Sequence, residues 1–235
     1  MIIMPKEPGS ARMSPEQMEI LEQTSFSMVT QALTDYASQA VRIFREEVDQ
    51  PQDIAEDITR EAIELMGLPQ IHLRLYGKVD IKKAVYVFLP EAIPVALMID
   101  TKAEKPSGSG TATIQMSQTS LHVKMWRQDV VIDEAGKLPS FIERDGRSLY
   151  VVTVFTKYIY DVVDDAHVLQ RIIAACLPNG LLQDRYNPSE NDTIWRVGRN
   201  APTLGEDFRV RISFSDLRRK ANWRVQDIDI PLANS

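Results

Sequence analysis

The sequence predicts an α/β fold in which helices flank a mixed central β-sheet, and three observations lead to this prediction. Apolar residues recur at helical spacing through the first quarter of the chain. Three apolar runs of strand length follow between residues 71 and 102. Alternating and β-branched runs then return at intervals to the C-terminus, separated by short helical patterns. Helices that precede and interrupt strands are the pattern of a layered α/β domain.

The first predicted helix begins at Ser14-Pro15-Glu16-Gln17, which combines a serine cap, a proline in the first turn and a glutamine at the third position. Apolar residues at helical spacing carry this helix to about Glu47, and Gln50-Pro51 breaks it. A second helix is predicted from Pro51 to Met66, and Gly67 ends it.

The later elements are predicted from shorter patterns. Strands are expected at residues 71–79, 84–89, 94–102, 123–132, 148–156, 171–177, 208–214 and 223–230. Residues 113–121 fit a helix or a strand, with a short helix favoured, and 157–170 is predicted to be helical at least in part. We expect a hairpin or excursion at 134–147, a flexible loop at 106–110 and a long polar loop at 187–206.

Two aspartates and a lysine lie at or near the ends of predicted strands. Asp80 follows the run 71–79, and Asp100-Thr101-Lys102 ends a later apolar run. Because a strand alternates its faces, Asp100, Lys102 and Glu104 should point to one side. Two carboxylates suit Mg²⁺, and a lysine can stabilise charge on a phosphate or help to generate hydroxide from a bound water. The spacing therefore suggests a metal-dependent phosphodiesterase.

Other interpretations of these residues stay open, and other kinds of site lack support. The tripeptide is weak by itself, because Asp80-Ile81-Lys82 also fits it and a charge at a strand end is often only solvated. His72, His122 and His167 are scattered without partners at metal-ligand spacing, which disfavours a zinc site. No nucleophile elbow or phosphate-binding glycine loop is present in the sequence.

The composition, with 44% hydrophobic and 26% charged residues, is that of an ordinary globular protein. We expect one domain over residues 1–235, with long helices at about 15–66, a catalytic core at about 70–180 and a basic segment at about 185–224. The apolar start is too short for a signal peptide and no apolar stretch has membrane-spanning length, so a cytoplasmic location is expected.

Charge is distributed unevenly along the chain. Residues 1–66 contain 5 basic and 13 acidic residues, whereas residues 185–224 contain 9 basic and 5 acidic residues. The net charge of −6 argues mildly against a nucleic-acid partner, but a local basic surface is sufficient to bind one. The acidic quarter is then expected to face away from nucleic acid or to face a neighbouring subunit.

The order of helix, three strands carrying the acids, helix and strand resembles the core of the PD-(D/E)xK nucleases, which hydrolyse phosphodiesters with a divalent metal. Asp80 matches the first acid of that motif, and Asp100 and Lys102 match its second acid and lysine. Val79 stands where the motif name has proline, and the second acid is Asp where Glu is also common. Both departures keep the charges that the chemistry needs.

Many members of that superfamily add an acid from the preceding helix. Glu61 is the candidate here, because it lies at the edge of the apolar stripe of residues 51–66. Glu56 and Asp57 are weaker candidates, and for all three residues a solvated helix face is the favoured explanation.

Longer stretches resemble the SfiI type of restriction endonuclease, over roughly residues 15–230. They are Tyr76–Asp80, Val87–Pro90, Asp100–Lys105, Thr113–Ser120 and Leu177–Asp184. The resemblance implies cleavage of duplex DNA at an interrupted, GC-rich palindrome by a homotetramer that engages two copies of its site. We predict that Asp80 and Asp100 hold Mg²⁺ with the Thr101 carbonyl, and that Lys102 lies beside the attacking water and the scissile phosphate.

The predicted DNA contacts are basic residues. Arginine pairs with guanine through two hydrogen bonds, which suits a GC-rich site, and other basic residues hold phosphates. The candidates are Lys105, Arg209, Arg211, Arg218 and Lys220. The alternative is that these basic residues are only solvated, on an exposed helix face and on the solvent-facing side of an edge strand. A structure-selective nuclease such as a junction resolvase, and a DNA-binding module without catalysis, also remain as alternative functions.

Overall fold

A computed structural model describes residues 13–67, 70–71, 85–88, 95–144, 147–197 and 209–231. Two long helices begin the described chain, α1 at Pro15–Glu46 and α2 at Pro51–Glu64. Ser14 caps α1, and its reciprocal hydrogen bonds with Gln17 form the capping box that the sequence predicted. Neither these nor the shorter helices of the described residues are long and apolar enough to cross a membrane.

A seven-stranded mixed sheet forms the centre of the molecule. Its strands are β1 (Gln70–Ile71), β2 (Val85–Phe88), β3 (Val95–Glu104), β7 (Phe141–Arg144), β8 (Arg147–Val163), β9 (Ala166–Leu177) and β12 (Val225–Ile228). The order is β1-β2-β3-β8-β9-β12, and β7 also pairs with β8. Only β3 and β8 run parallel; the other pairs are antiparallel. The predicted α/β class with a mixed central sheet is confirmed.

Two smaller sheets and two short helices complete the described fold. The strands β10 (Trp195–Val197), β11 (Arg209–Ser213) and β4 (Thr111–Gln115) form one sheet, and β5 (Val123–Arg127) with β6 (Val130–Glu134) forms the other. The helices are α3 (Gln183–Tyr186) and α4 (Phe214–Lys220).

The predicted helix at 157–170 is wrong, because β8 continues unbroken to Val163 and β9 returns beside it. Asp164 and Asp165 make the turn with φ of 50° and 63°. Two-residue hairpin turns often require positive φ, which aspartate tolerates better than most residues. The local pattern of polar and apolar residues resembled a helix, but pairing along the whole length of β9 favours the strand.

The predicted short helix at 113–121 is also wrong for most of its length. Residues 111–115 form β4, and only Met116–Gln118 make a single 3₁₀ turn. Ala112 and Ile114 are buried while the residues between them are half-buried, which is the alternation of a strand. Pairing with β11, which no local pattern reveals, decides this conformation.

The long helices cover one face of the central sheet. Phe44 of α1 stacks on Tyr158 of β8 with ring centroids 5.7 Å apart. Thr59 of α2 is hydrogen bonded to the Tyr158 hydroxyl at 2.9 Å and lies 3.3 Å from the Thr156 hydroxyl. Residues of β8 that point to this side are therefore shielded, while their neighbours along the strand point to the opposite face.

A buried ion pair fastens α1 to the C-terminal part of the chain. Glu22 and Arg224 are both fully buried, with Glu22 Oε2 at 2.5 Å from Arg224 Nη2. Glu22 also accepts a hydrogen bond from the Asn179 backbone at 2.6 Å, and Arg224 packs on the rings of Tyr186 and Trp223. Burial raises the pKa of the Glu22 carboxyl, and the Arg224 charge opposes that rise. The pair therefore joins three distant segments inside the core.

We expect Glu22→Gln to lower the free energy of unfolding by about 3–5 kcal/mol, because it removes the nearest counter-ion of the buried Arg224 charge and leaves Glu19 at 3.7 Å. Urea denaturation followed by circular dichroism measures this loss. Glu64→Gln is the matched control: Glu64 lies 4.0 Å from Arg60 in an exposed pair, and losses there are at most about 1 kcal/mol. Equal losses in the two variants would contradict the structural role of the buried pair.

Candidate active site

The end of β3 brings Asp100, Lys102 and Glu104 to one face of the central sheet, as the alternation predicted. In the parallel pairing with β8, Lys102 lies opposite Lys157. Thr101 points the other way, and its hydroxyl is hydrogen bonded to that of Thr156 at 2.8 Å on the side covered by α2. Successive residues at the end of β3 therefore alternate between the charged face and the face that the helices cover.

One oxygen of the Asp100 carboxylate accepts a hydrogen bond, and the other keeps lone pairs that can bind a cation. Its Oδ1 accepts a hydrogen bond from Gln118 Nε2 at 3.0 Å. Its Oδ2 lies 2.9 Å from Lys102 Nζ, but at this buried atom the described residues make no hydrogen bond of regular geometry. The contact is thus an ion pair, and the lone pairs of Oδ2 are not used up. An anionic oxygen of this kind is a ligand that hard divalent cations prefer.

Asp80, the other predicted metal ligand, lies outside the described residues. Within the described ranges, no cluster of three or more His, Cys, Asp or Glu side chains has metal-binding geometry. Of the predicted metal ligands, Asp100 and the Thr101 carbonyl are therefore the two that lie within the described residues.

Among the described residues the pairing of β2 with β3 ends at Met98, before the Thr101 carbonyl is reached. Gln52, near the start of α2, binds this edge of β3 with both ends of its amide. Its Nε2 donates to Thr101 O at 2.7 Å, and its Oε1 accepts from Ala103 N at 2.9 Å. The glutamine therefore takes the place of a strand partner here. No pattern in the sequence indicates this contact, which joins residues 49 and 51 positions apart.

Of the acids considered on α2, Glu56 lies nearest to this edge. It accepts a hydrogen bond from Gln52 Nε2 at 2.7 Å. Glu61 instead accepts a hydrogen bond from the hydroxyl of Tyr36 on α1, so its carboxylate binds a neighbouring helix. This contact raises the pKa of Tyr36 to about 12. The accessory role predicted for Glu61 stays a prediction, and the geometry favours Glu56.

Lys157 is a buried lysine beside the site. The sequence did not indicate its role, because residues 157–170 were predicted to be partly helical. Its ammonium donates to Gly108 O at 2.6 Å and to Thr111 O, and it lies 2.9 Å from Glu104 Oε2. Burial lowers the pKa of Lys157, and Glu104 opposes that fall. Residues 106–108, predicted as part of a flexible loop, form a 3₁₀ turn that this lysine holds against β8.

The predicted DNA-binding residues fall into different environments. Arg209 and Arg211 are half-buried on β11, which pairs with β4, and the charge of Arg211 contributes to the lowered pKa of Lys157. Arg218 lies 2.7 Å from Asp227. Lys220 lies 2.6 Å from Asp192. Lys105 is exposed. The charge of Arg211 thus acts on Lys157, whereas Arg218 and Lys220 are paired with acids.

Comparisons with known proteins identify relatives of the chain. A family model described as type II restriction enzyme SfiI matches residues 21–228. The type II restriction enzyme SfiI of Streptomyces fimbriatus is 28% identical over 232 residues, which cover 92% of this chain and 86% of that protein.

Two solved structures share the fold. The tetrameric restriction endonuclease SfiI bound to cognate DNA superposes with a TM-score of 0.81 at 24% identity, covering 95% of this chain and 88% of that one. The restriction endonuclease BglI bound to its DNA recognition sequence gives a TM-score of 0.73 at 17% identity, covering 92% and 91%.

The buried ammonium of Lys157 yields a prediction about stability. Lys157→Met should lower the free energy of unfolding by about 1–3 kcal/mol for each acceptor left without a donor. Denaturant titration measures this change. Lys105→Met is the matched control, because Lys105 is exposed at the start of the same turn. If both variants lose the same stability, Lys157 does not hold the turn.

Proposed function

The chain belongs to the family of the type II restriction enzyme SfiI, and from this premise we propose that it cleaves duplex DNA at an interrupted, GC-rich palindrome. Family membership makes it a restriction endonuclease that hydrolyses phosphodiester bonds of DNA. The observation that carries the proposed chemistry is the Asp100–Lys102 pair on the face of β3 opposite the long helices, with Asp100 Oδ2 2.9 Å from Lys102 Nζ.

The family implies a divalent metal cofactor, and we propose that the metal is Mg²⁺. Asp80 and Asp100 would hold it together with the Thr101 carbonyl, which keeps a lone pair besides the one that Gln52 binds. When bound, the ion would supply positive charge to the phosphate during hydrolysis. Oxygen donors alone are the ligand set that Mg²⁺ prefers.

The role proposed for Lys102 follows from its position. The Lys102 side chain is about a third exposed and its ammonium lies against Asp100, so the ammonium can bind the carboxylate on one side and a phosphate oxygen or the attacking water on the other. We propose that Lys102 orients this water for in-line attack on the phosphate. The hydrolysis would leave a 5′-phosphate end. Asp100, held by Gln118, fixes the direction in which the ammonium points.

The DNA contacts are proposed to come from the basic residues named above. Arg209 and Arg211 are the stronger candidates for contacts with guanine, because β11 pairs with β4 and one end of this strand pair adjoins the site. Lys105 would contact a phosphate. Arg218 and Lys220 would first have to exchange their acidic partners for DNA, which favours a weaker contribution.

We further propose that the whole chain is one endonuclease domain that acts in the cytoplasm as a homo-oligomer. A palindromic site requires two-fold symmetry, so at least a dimer is needed. A tetramer that engages two copies of the site is proposed because the related SfiI structure is described as tetrameric. The acidic helix α1 is a candidate for the contact between subunits.

Asp100→Asn should abolish cleavage and leave DNA binding intact, because it removes a charge from the site without changing the shape of the side chain. The assay is incubation of phage DNA with protein and Mg²⁺, with end mapping of the products and a mobility-shift measurement of binding. Asp164→Asn, at the exposed turn between β8 and β9, is the control and should cleave normally.

Discrete fragments from the unaltered protein, with one sequence at every end, are the expected products. Cleavage confined to branched DNA would favour a junction-resolving nuclease, and binding without cleavage would favour a non-catalytic module. Full Mg²⁺-dependent cleavage by Asp100→Asn would overturn the assignment of the site.

Alanine at Arg211 should weaken DNA binding more than alanine at Arg218, because Arg218 is paired with Asp227. A lost base contact costs about 1–3 kcal/mol of binding free energy. Equilibrium binding with Ca²⁺ in place of Mg²⁺, repeated at several salt concentrations, measures the difference. A larger loss at Arg218 would move the proposed DNA surface from β11 to α4.

A further inference from the structure

Gln118 is a buried glutamine that joins two parts of the molecule through its amide. It ends the 3₁₀ turn after β4, and only 3% of it is exposed. Its Nε2 donates to Asp100 Oδ1 at 3.0 Å, and its Oε1 accepts from the Gln115 backbone at 2.8 Å. Both ends of the amide are therefore engaged, which also fixes its orientation.

The backbone on both sides of Gln118 is hydrogen bonded to residues 137 and 138. Met116 O accepts from Lys137 N at 2.8 Å, and Thr119 O accepts from Leu138 N at 3.1 Å. Gly136 passes so close that a Cβ there would lie 2.2 Å from Thr119 O. A side chain at residue 136 would force this turn to move, so the close contact itself depends on glycine.

The position of the turn also relates Asp100 to the arginine-bearing sheet. Gln115, whose N–H binds the Gln118 amide, is the last residue of β4 and lies opposite Arg209 on β11. The Asp100 carboxylate is thus tied by one side chain to the strand pair that carries Arg209 and Arg211. Covalently, β3 and β4 are joined only by the turn that Lys157 holds.

We propose that Gln118 is a positioning residue, which fixes the Asp100 carboxylate so that Oδ1 is occupied and Oδ2 faces Lys102 and the cation. This inference rests on the proposed function, since it concerns how Asp100 performs that role. A carboxylate with one oxygen held by an amide rotates less freely, and outer contacts of this kind commonly change metal affinity or activity by 10- to 100-fold.

The test is Gln118→Met, which keeps the length and volume of the side chain and removes its hydrogen bonds. We expect the single-turnover cleavage rate at saturating Mg²⁺, or the affinity for Mn²⁺ followed by electron paramagnetic resonance, to fall by about 10- to 100-fold. The affinity for a duplex carrying the mapped site, measured with Ca²⁺, should not change, because Gln118 is buried.

Gln183→Met is the matched control. The Gln183 amide also joins two backbone segments, accepting from His122 N at 2.9 Å and donating to Asn187 O at 2.6 Å, and it contacts neither Asp100 nor Lys102. Thermal unfolding should show a loss of stability in both variants, while cleavage per folded molecule and Mn²⁺ affinity should fall only in Gln118→Met.

Each outcome bears on one proposal. Unchanged cleavage and Mn²⁺ affinity in Gln118→Met, or equal falls in both variants, would overturn the positioning role while the unaltered protein still cleaves and Asp100→Asn does not. Cleavage by Asp100→Asn would instead overturn the proposed site itself.

Discussion

The parallel pairing of β3 with β8 is the constraint on which the candidate site depends. It sets Asp100 opposite Phe155 and Lys102 opposite Lys157. Because strand residues alternate between faces, this register directs Asp100 and Lys102 away from the long helices and directs Thr101 towards them. A slip of one residue would bury the two charges under α2 and bring the threonines into the site. Such a slip is costly because it would bury the Asp100 and Lys102 charges among the helices.

Polar side chains stabilise the end of β3, where β8 is its one strand partner among the described residues. Gln52 binds the strand edge at residues 101 and 103, Gln118 binds the Asp100 carboxylate, and Lys157 holds the turn that follows Glu104. A satisfied hydrogen bond contributes about 1 kcal/mol, whereas a buried group left without a partner costs about 1–3 kcal/mol. This asymmetry explains how side chains from three separate segments can keep the end of a strand in one position.

The sequence predicted those features that short segments determine. The serine cap and Pro15 marked the start of α1, and the apolar run before Asp100 marked β3 and the face of its charged end. The turn at Asp164 and Asp165 was missed because an alternation interrupted by polar residues can also be read as a helix. Gln52, Gln118 and Lys157 could not have been found, since a lone amide or ammonium has no periodicity and its partners are distant in the chain. Of the basic residues, sequence reasoning proposed Arg211 and Arg218 alike, and only the contact with Asp227 distinguishes them.

The most direct test of the account is a crystal structure of the protein with Mn²⁺ and a duplex that carries its cleavage site, with the ion located by anomalous scattering. The account predicts a peak between the carboxylates of Asp80 and Asp100, with Lys102 on the same side of the sheet and next to the scissile phosphate. A peak that is not bound by Asp100, or an Asp80 side chain on the helical face of the sheet, would contradict it.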